Sequence, residues 1–144
     1  MAEKISETIV DRNMFDRSRA ELGSAFVRIL GYFHEDGAKS VSAIEEAGRQ
    51  RNSTALVIPA HTLKGEARQF GAIELAELAE EIEMGARRCV ENHDTPDELL
   101  MPITKLRPLF DNTIAYFNSA TNPLQERRKS FGRAPGFGSF GVRG

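Results

Sequence analysis

The chain has 144 residues, 40 % of them hydrophobic, which suits one domain with a substantial core and not two. It contains no apolar run of about 18 residues to span a membrane, Met1 to Val10 lacks the apolar stretch of a signal peptide, and the single Cys89 has no internal disulfide partner, so the composition points to a reducing cytoplasm. The net charge of −2 divides unevenly: Arg127, Arg128, Lys129, Arg133 and Arg143 against Glu126 make residues 119–144 +4 and leave residues 1–118 at −6, an acidic body that argues against nucleic acid as a partner of the fold.

The apolar spacing predicts helix almost throughout. Asp11 to Leu22 reads as a short amphipathic helix stopped by Gly23. Ser24 reads as the N-cap of a second helix, in which Phe26, Ile29, Leu30, Phe33, Gly37, Val41 and Ile44 form one face running to about Gly48. Asn52 and Ser53 cap a third helix that continues to about Phe70, with Gly71 just past its end. A fourth helix runs from Glu74 to about Val90 and turns Leu75, Leu78, Ala79, Ile82, Ala86 and Cys89 to one side. Residues 92–96 form a loop, with Thr95 as cap and Pro96 in the first turn of a fifth helix. That helix reaches about Asn118 with Leu100, Ile103, Leu106, Phe110, Ile114 and Phe117 inward, and Pro102 and Pro108 put small breaks or kinks in it.

No strand pattern and no internal repeat is visible. The expected fold is all-α: an antiparallel four-helix bundle over residues 1–118, with the short N-terminal helix across one end. Residues 119–144 form an irregular basic tail rich in Gly, Phe and Arg. Its stretch Ser130 to Gly144 cannot make a core of its own and reads as disordered or docked as an extended arm. Its Phe131, Phe137 and Phe140 among Gly and Arg resemble segments that bind RNA or interact weakly, but a solvated extension, free to dock on a partner or on another copy of the chain, is the plainer reading.

The chemistry is concentrated in residues 59–72. On a helix at about 100° per residue, His61, Lys64, Gly65 and Arg68 share one side. Leu56, Ala60, Leu63, Ala67 and Phe70 take the opposite, core side. The outward set is a histidine, two cations and a glycine. An exposed neutral imidazole is a nucleophile near pH 7. Phosphoryl transfer asks the protein for positioning and for cations to balance charge on the equatorial oxygens. Lys64, one turn on, is placed to neutralise a phosphoryl group on the ring, and Arg68 extends the positive strip. Gly65 removes a side chain beside His61, so that a partner's active site can approach; in a helix interior it costs about 1 kcal/mol against Ala, which asks for a functional reason. If the third and fourth helices turn back on each other at Gly71–Ala72, His61 and Glu83 stand eleven residues to either side of Ala72 and lie level. Glu83 is then placed to accept from Nδ1–H, fixing the tautomer and leaving Nε2 as the nucleophile.

The run Ala60-His61-Thr62-Leu63-Lys64-Gly65, continued by Phe70-Gly71-Ala72, resembles the signature of histidine-containing phosphotransfer (HPt) domains, and the helical layout agrees over residues 11–118. The resemblance implies a four-helix-bundle core, phosphorylation of His61 at Nε2 and exchange with aspartates of response-regulator receiver domains, fed by a hybrid or separate histidine kinase. It also implies no bound metal or other cofactor, with Mg²⁺ belonging to the receiver, no ATP site or autokinase activity, and a monomer. His61, Lys64 and Gly65 match the family's phosphoacceptor, lysine and small residue. Glu83 stands where the family often has Gln or another polar partner. Glu66 departs from the commoner Ser or Ala, and Pro59, two residues before His61, either kinks the helix or restarts it. The expected partner surface is the outer face of the second and third helices around His61, with Val57 and Ile58 meeting an apolar patch on the receiver.

Each residue also has a plainer reading. His34 and His93 have no ligand partners at metal-binding spacing and read as structural or solvent-facing. Lys64 and Arg68 can be read as a solvated face, and Glu83 as one of an acidic row with Glu77, Glu80 and Glu81. Cys89 on the apolar stripe reads as buried and inert. The alternative function is a helical adaptor that binds receivers without phosphorylation. A stand-alone histidine kinase is excluded by size, because no Gly-rich nucleotide segment follows His61.

Overall fold

The helices of the chain follow directly from its caps and glycines. The computed structural model describes residues 9–121. The elements are α1 (Arg12–Leu22), a 3₁₀ turn (Gly23–Ala25), α2 (Phe26–Arg49), α3 (Ser53–Gln69), α4 (Ile73–Glu91), a second 3₁₀ turn (Asp97–Leu99) and α5 (Leu100–Thr121). The described residues contain no strand. The basic tail expected from residue 119 lies outside the described residues from residue 122 on.

Two helix starts are set by side chains. Asp11 accepts from the Met14 amide at the head of α1, and Asn52 accepts from the Ala55 amide at the head of α3. Two expected caps are not made. Ser24 sits inside the 3₁₀ turn and makes no cap bond, because Gly23 at φ +55° ends α1 and the chain tightens straight into α2. Thr95 likewise caps nothing: Pro96 precedes the second 3₁₀ turn, whose Asp97 and Glu98 bring negative charge to that end instead. Neither Pro102 nor Pro108 ends α5. Pro102 is third in that helix, where the missing N–H has no intrahelical acceptor to serve. Pro59 lies inside a continuous α3, so the helix does not restart there; its ring leaves the Ala55 carbonyl without its usual donor.

Contacts between helices give the topology. Arg68 with Glu80, His61 with Glu83 and Ser53 with the Asp94 carbonyl step in opposite directions along α3 and α4, so the pair is antiparallel. Arg107 reaches Glu45, while Phe110 packs on Phe33, so α5 runs antiparallel to α2. Four long helices therefore form the bundle. The α3–α4 corner turns on Gly71 at φ +78°, a conformation open to glycine. Its carbonyl accepts from the Asp11 amide at 2.7 Å, which ties α1 across this end. A Cβ on Gly71 would come within 2.8 Å of the Asp11 carbonyl oxygen.

The core follows the expected stripes. Leu56, Ala60, Leu63, Ala67 and Phe70 are all buried, as are Phe26, Leu30, Phe33, Val41 and Ile44 of α2. A file of rings, Phe15–Phe26–Phe70–Phe33–Phe110, joins α1, α2, α5 and the end of α3 with centroids 5.3–5.9 Å apart. Ile29 and Leu100 are only half-buried, at the rim of their stripes. From Ala115 on, the chain belongs to a second compact unit; within it the Thr121 hydroxyl donates to the Phe117 carbonyl. No helix among the described residues is long and apolar enough to cross a membrane.

Candidate functional site

α3 buries one stripe and thereby fixes what faces away from the core. His61, Gly65 and Arg68 are exposed, and the His61 side chain keeps 57 % of its surface. A Cβ on Gly65 would meet nothing within 4 Å, so the surface beside the imidazole is open. α4 runs antiparallel alongside and brings Glu83 level with His61. Glu83 Oε2 lies 3.1 Å from His61 Nδ1, while its side chain is only 2 % exposed.

This buried carboxylate organises the site. Lys64 Nζ lies 2.8 Å from Oε1. Arg87 donates to Oε2 through Nε at 3.0 Å and Nη2 at 2.8 Å. Burial by itself pushes the Glu83 carboxyl up, but the close Lys64 ammonium and the hydrogen bonds from Arg87 and His61 outweigh it and hold the group down at about 2. Glu83 is therefore ionised at neutral pH, with two cations and one imidazole around it.

The five candidates of the sequence do not all stand as a free basic strip. Lys64 is only 12 % exposed and turned onto Glu83. Arg68 is paired across to Glu80 at 3.0 Å, both side chains remaining well exposed. Glu83 is separated in kind from its acidic neighbours: Glu77 and Glu81 are exposed, and the Glu80 side chain keeps 42 % of its surface. Arg87 was not among the sequence candidates. The available signal was its i+4 spacing from Glu83, which on its own describes an ordinary surface pair.

Two further features flank the site. A groove of about 600 Å³ lies between α3 and α4, lined by half-buried Val57 and exposed Ile58 from one helix and by exposed Met84 and Val90 from the other. The groove lies between α3 and α4 because Met84 and Val90 fall on the outer side of α4. On the other flank, Glu66 Oε1 is buried without a hydrogen-bond partner among the described residues. Burial, with the nearby Asp36 charge, pushes its carboxyl up. Cys89 is buried, and its thiol is pushed up by that burial and by Glu98.

The family model of the Hpt domain matches residues 28–113, well over half of the chain. The chain belongs to the Hpt domain family. The match runs from the first turn of α2 into α5 and contains His61 and all three groups on Glu83. No curated protein and no solved structure matches the chain. Membership in the Hpt family carries a phosphotransfer role in two-component signalling, and Hpt domains as a class interact with receiver domains and kinases.

Proposed function

We propose that this Hpt chain is a phosphorelay intermediate: His61 accepts a phosphoryl group at Nε2 from one receiver aspartate and passes it to another. The single observation that carries the reading is the buried Glu83 carboxylate at 3.1 Å from Nδ1 of an exposed imidazole. With the ring proton on Nδ1, the Nε2 lone pair attacks phosphorus. The bond between phosphorus and the aspartyl oxygen breaks, and the donor leaves as a carboxylate. The ring becomes an N-phosphorylated imidazolium that still carries its Nδ1 proton. Positive charge thus develops on the ring during transfer, and the Nδ1–H bond to Glu83 strengthens as it does. That interaction is worth more in the transition state than in the ground state.

The other residues take roles around this step. Gly65 leaves room for the partner's active site. Lys64, one turn from His61, is within reach of both Glu83 and a phosphoryl group; the second anion competes with the first for its ammonium, and this sets how long phosphohistidine persists. Arg68 contributes positive field beside the ring. The groove of Val57, Ile58, Met84 and Val90 suits an apolar patch on the receiver, and desolvation there adds affinity without touching the chemistry. Mg²⁺ belongs to the receiver and none to this chain. The chain works in the cytoplasm as a monomer, with neither ATP binding nor autokinase activity.

The test is transfer from a phosphorylated receiver domain to the purified chain. Loss of aspartyl phosphate with gain of a base-stable, acid-labile adduct on wild type, and none on His61→Gln, is the expected result. Receiver binding with no transfer to either protein would replace this reading with the adaptor.

A further inference from the structure

We propose that Arg87 is a positioning residue for His61: its two-pronged grip on Glu83 Oε2 holds that oxygen at Nδ1, so that Nδ1 keeps the ring proton and Nε2 keeps its lone pair. The argument starts from the softness of a glutamate's last torsion, which has broad minima and does not by itself fix where each oxygen points. Two cations remove that freedom. Lys64 holds Oε1 at 2.8 Å, but an ammonium is a point donor and restrains little beyond distance. Arg87 supplies a planar fork, with Nε and Nη2 both on Oε2 at 3.0 and 2.8 Å. The same oxygen lies 3.1 Å from His61 Nδ1.

An ordinary exposed i,i+4 pair contributes little and has no further consequence. This one differs at its acceptor. Glu83 is 2 % exposed, while the Arg87 side chain is 51 % exposed. The arginine therefore acts from the surface on a carboxylate that water scarcely reaches. An oxygen fixed by acceptor bonds can only accept from the imidazole, so the ring nitrogen facing it must carry the proton. Without the fork Oε2 can swing toward Lys64, and the neutral ring is free to move its proton to Nε2, where it blocks attack.

The tautomer is measurable without any phosphoryl chemistry. Long-range ¹H–¹⁵N correlation spectra of the full chain at about pH 8.5, well above the ordinary imidazole range, report which nitrogen of His61 is protonated. Wild type is expected to show the Nδ1–H form, Arg87→Met a mixture dominated by Nε2–H, and Arg87→Lys, which restores charge but not the fork, an intermediate state. The consequence for transfer rests on the relay reading. Labelling of Arg87→Met by phosphoramidate is expected to be about fivefold slower, the loss that follows if the competent tautomer falls to roughly one in five. Spectra of folded Arg87→Met and Arg87→Lys that superimpose on wild type would overturn the proposal and leave Arg87 a surface ion pair. Should wild type take no phosphoryl group at all, the relay reading falls, and the tautomer spectra still decide what Arg87 does.

Discussion

Glu83 is buried and holds His61, Lys64 and Arg87 around its two oxygens. Its folded-state value of about 2 stands below the ordinary 4.5, so its ionised form is favoured by folding. The contribution is complete above the unfolded value and is lost as pH falls from about 4.5 to about 2. Its ceiling is on the order of 3 kcal/mol, since each tenfold change in the ionisation equilibrium is worth about 1.4 kcal/mol. Glu83→Gln should remove that acid step from a plot of unfolding free energy against pH. At neutral pH it should also cost about 1–3 kcal/mol, because a half-hidden Lys64 loses its counter-charge. An acid limb unchanged in Glu83→Gln would show that other carboxylates carry it. Glu66 has the opposite sign. Burial and Asp36 raise it, so it favours the folded state below its unfolded value and opposes folding as pH rises through the folded one. Glu66→Gln should raise Tm at pH 7, with the gain vanishing under acid conditions; an equal gain at every pH would point to packing instead. At this scale the sequence yields identity better than engagement. Counting eleven residues either side of Ala72 brings Glu83 to His61, because two antiparallel helices share a rise. The same count says nothing of Arg87 or of Lys64 turning inward, since those depend on torsions of long side chains that no periodicity encodes.

Glycines of α2, α3 and α4 separate packing from access at the scale of the helix. Gly37 lies under Phe110, whose ring edge would stand 2.5 Å from an added Cβ, and Gly85 lies equally close to Leu99. Gly65 has open space above it. Gly37→Ala should therefore destabilise by about 1–3 kcal/mol through overpacking. Gly65→Ala should stabilise by about 0.5–1 kcal/mol through helix propensity, while slowing exchange with a receiver. Chemical denaturation of both variants, with transfer rates of the second, checks the pair. A Gly65→Ala protein that is more stable and exchanges at the wild-type rate would remove the access role. Helix extents and buried stripes were readable because apolar spacing and corner glycines are local signals. Ser24 and Thr95 misled because a serine or threonine near a helix start is also found inside a tight turn. The 3₁₀ turns at Gly23–Ala25 and Asp97–Leu99 are set by how α1 and α5 meet the bundle, which is a tertiary matter.

For the whole molecule, the order of events follows from the bundle. Antiparallel α3 and α4 bring a surface histidine and a buried carboxylate together, and the open Gly65 surface and the α3–α4 groove give a partner room on either side of the ring. The fold class was legible throughout, because every helix repeats its apolar residues at three and four and the turn residues separate them. The α3–α4 groove is legible only by half: Val57 and Ile58 are visible one turn before His61, but Met84 and Val90 join them only once α4 is packed beside α3. The most direct test of the central claim is intact mass of wild type and His61→Gln after incubation with phosphoramidate at neutral pH. The account predicts one acid-labile phosphoryl adduct on wild type and none on the variant. An unlabelled wild type, folded and run beside an Hpt domain that does label, would contradict it.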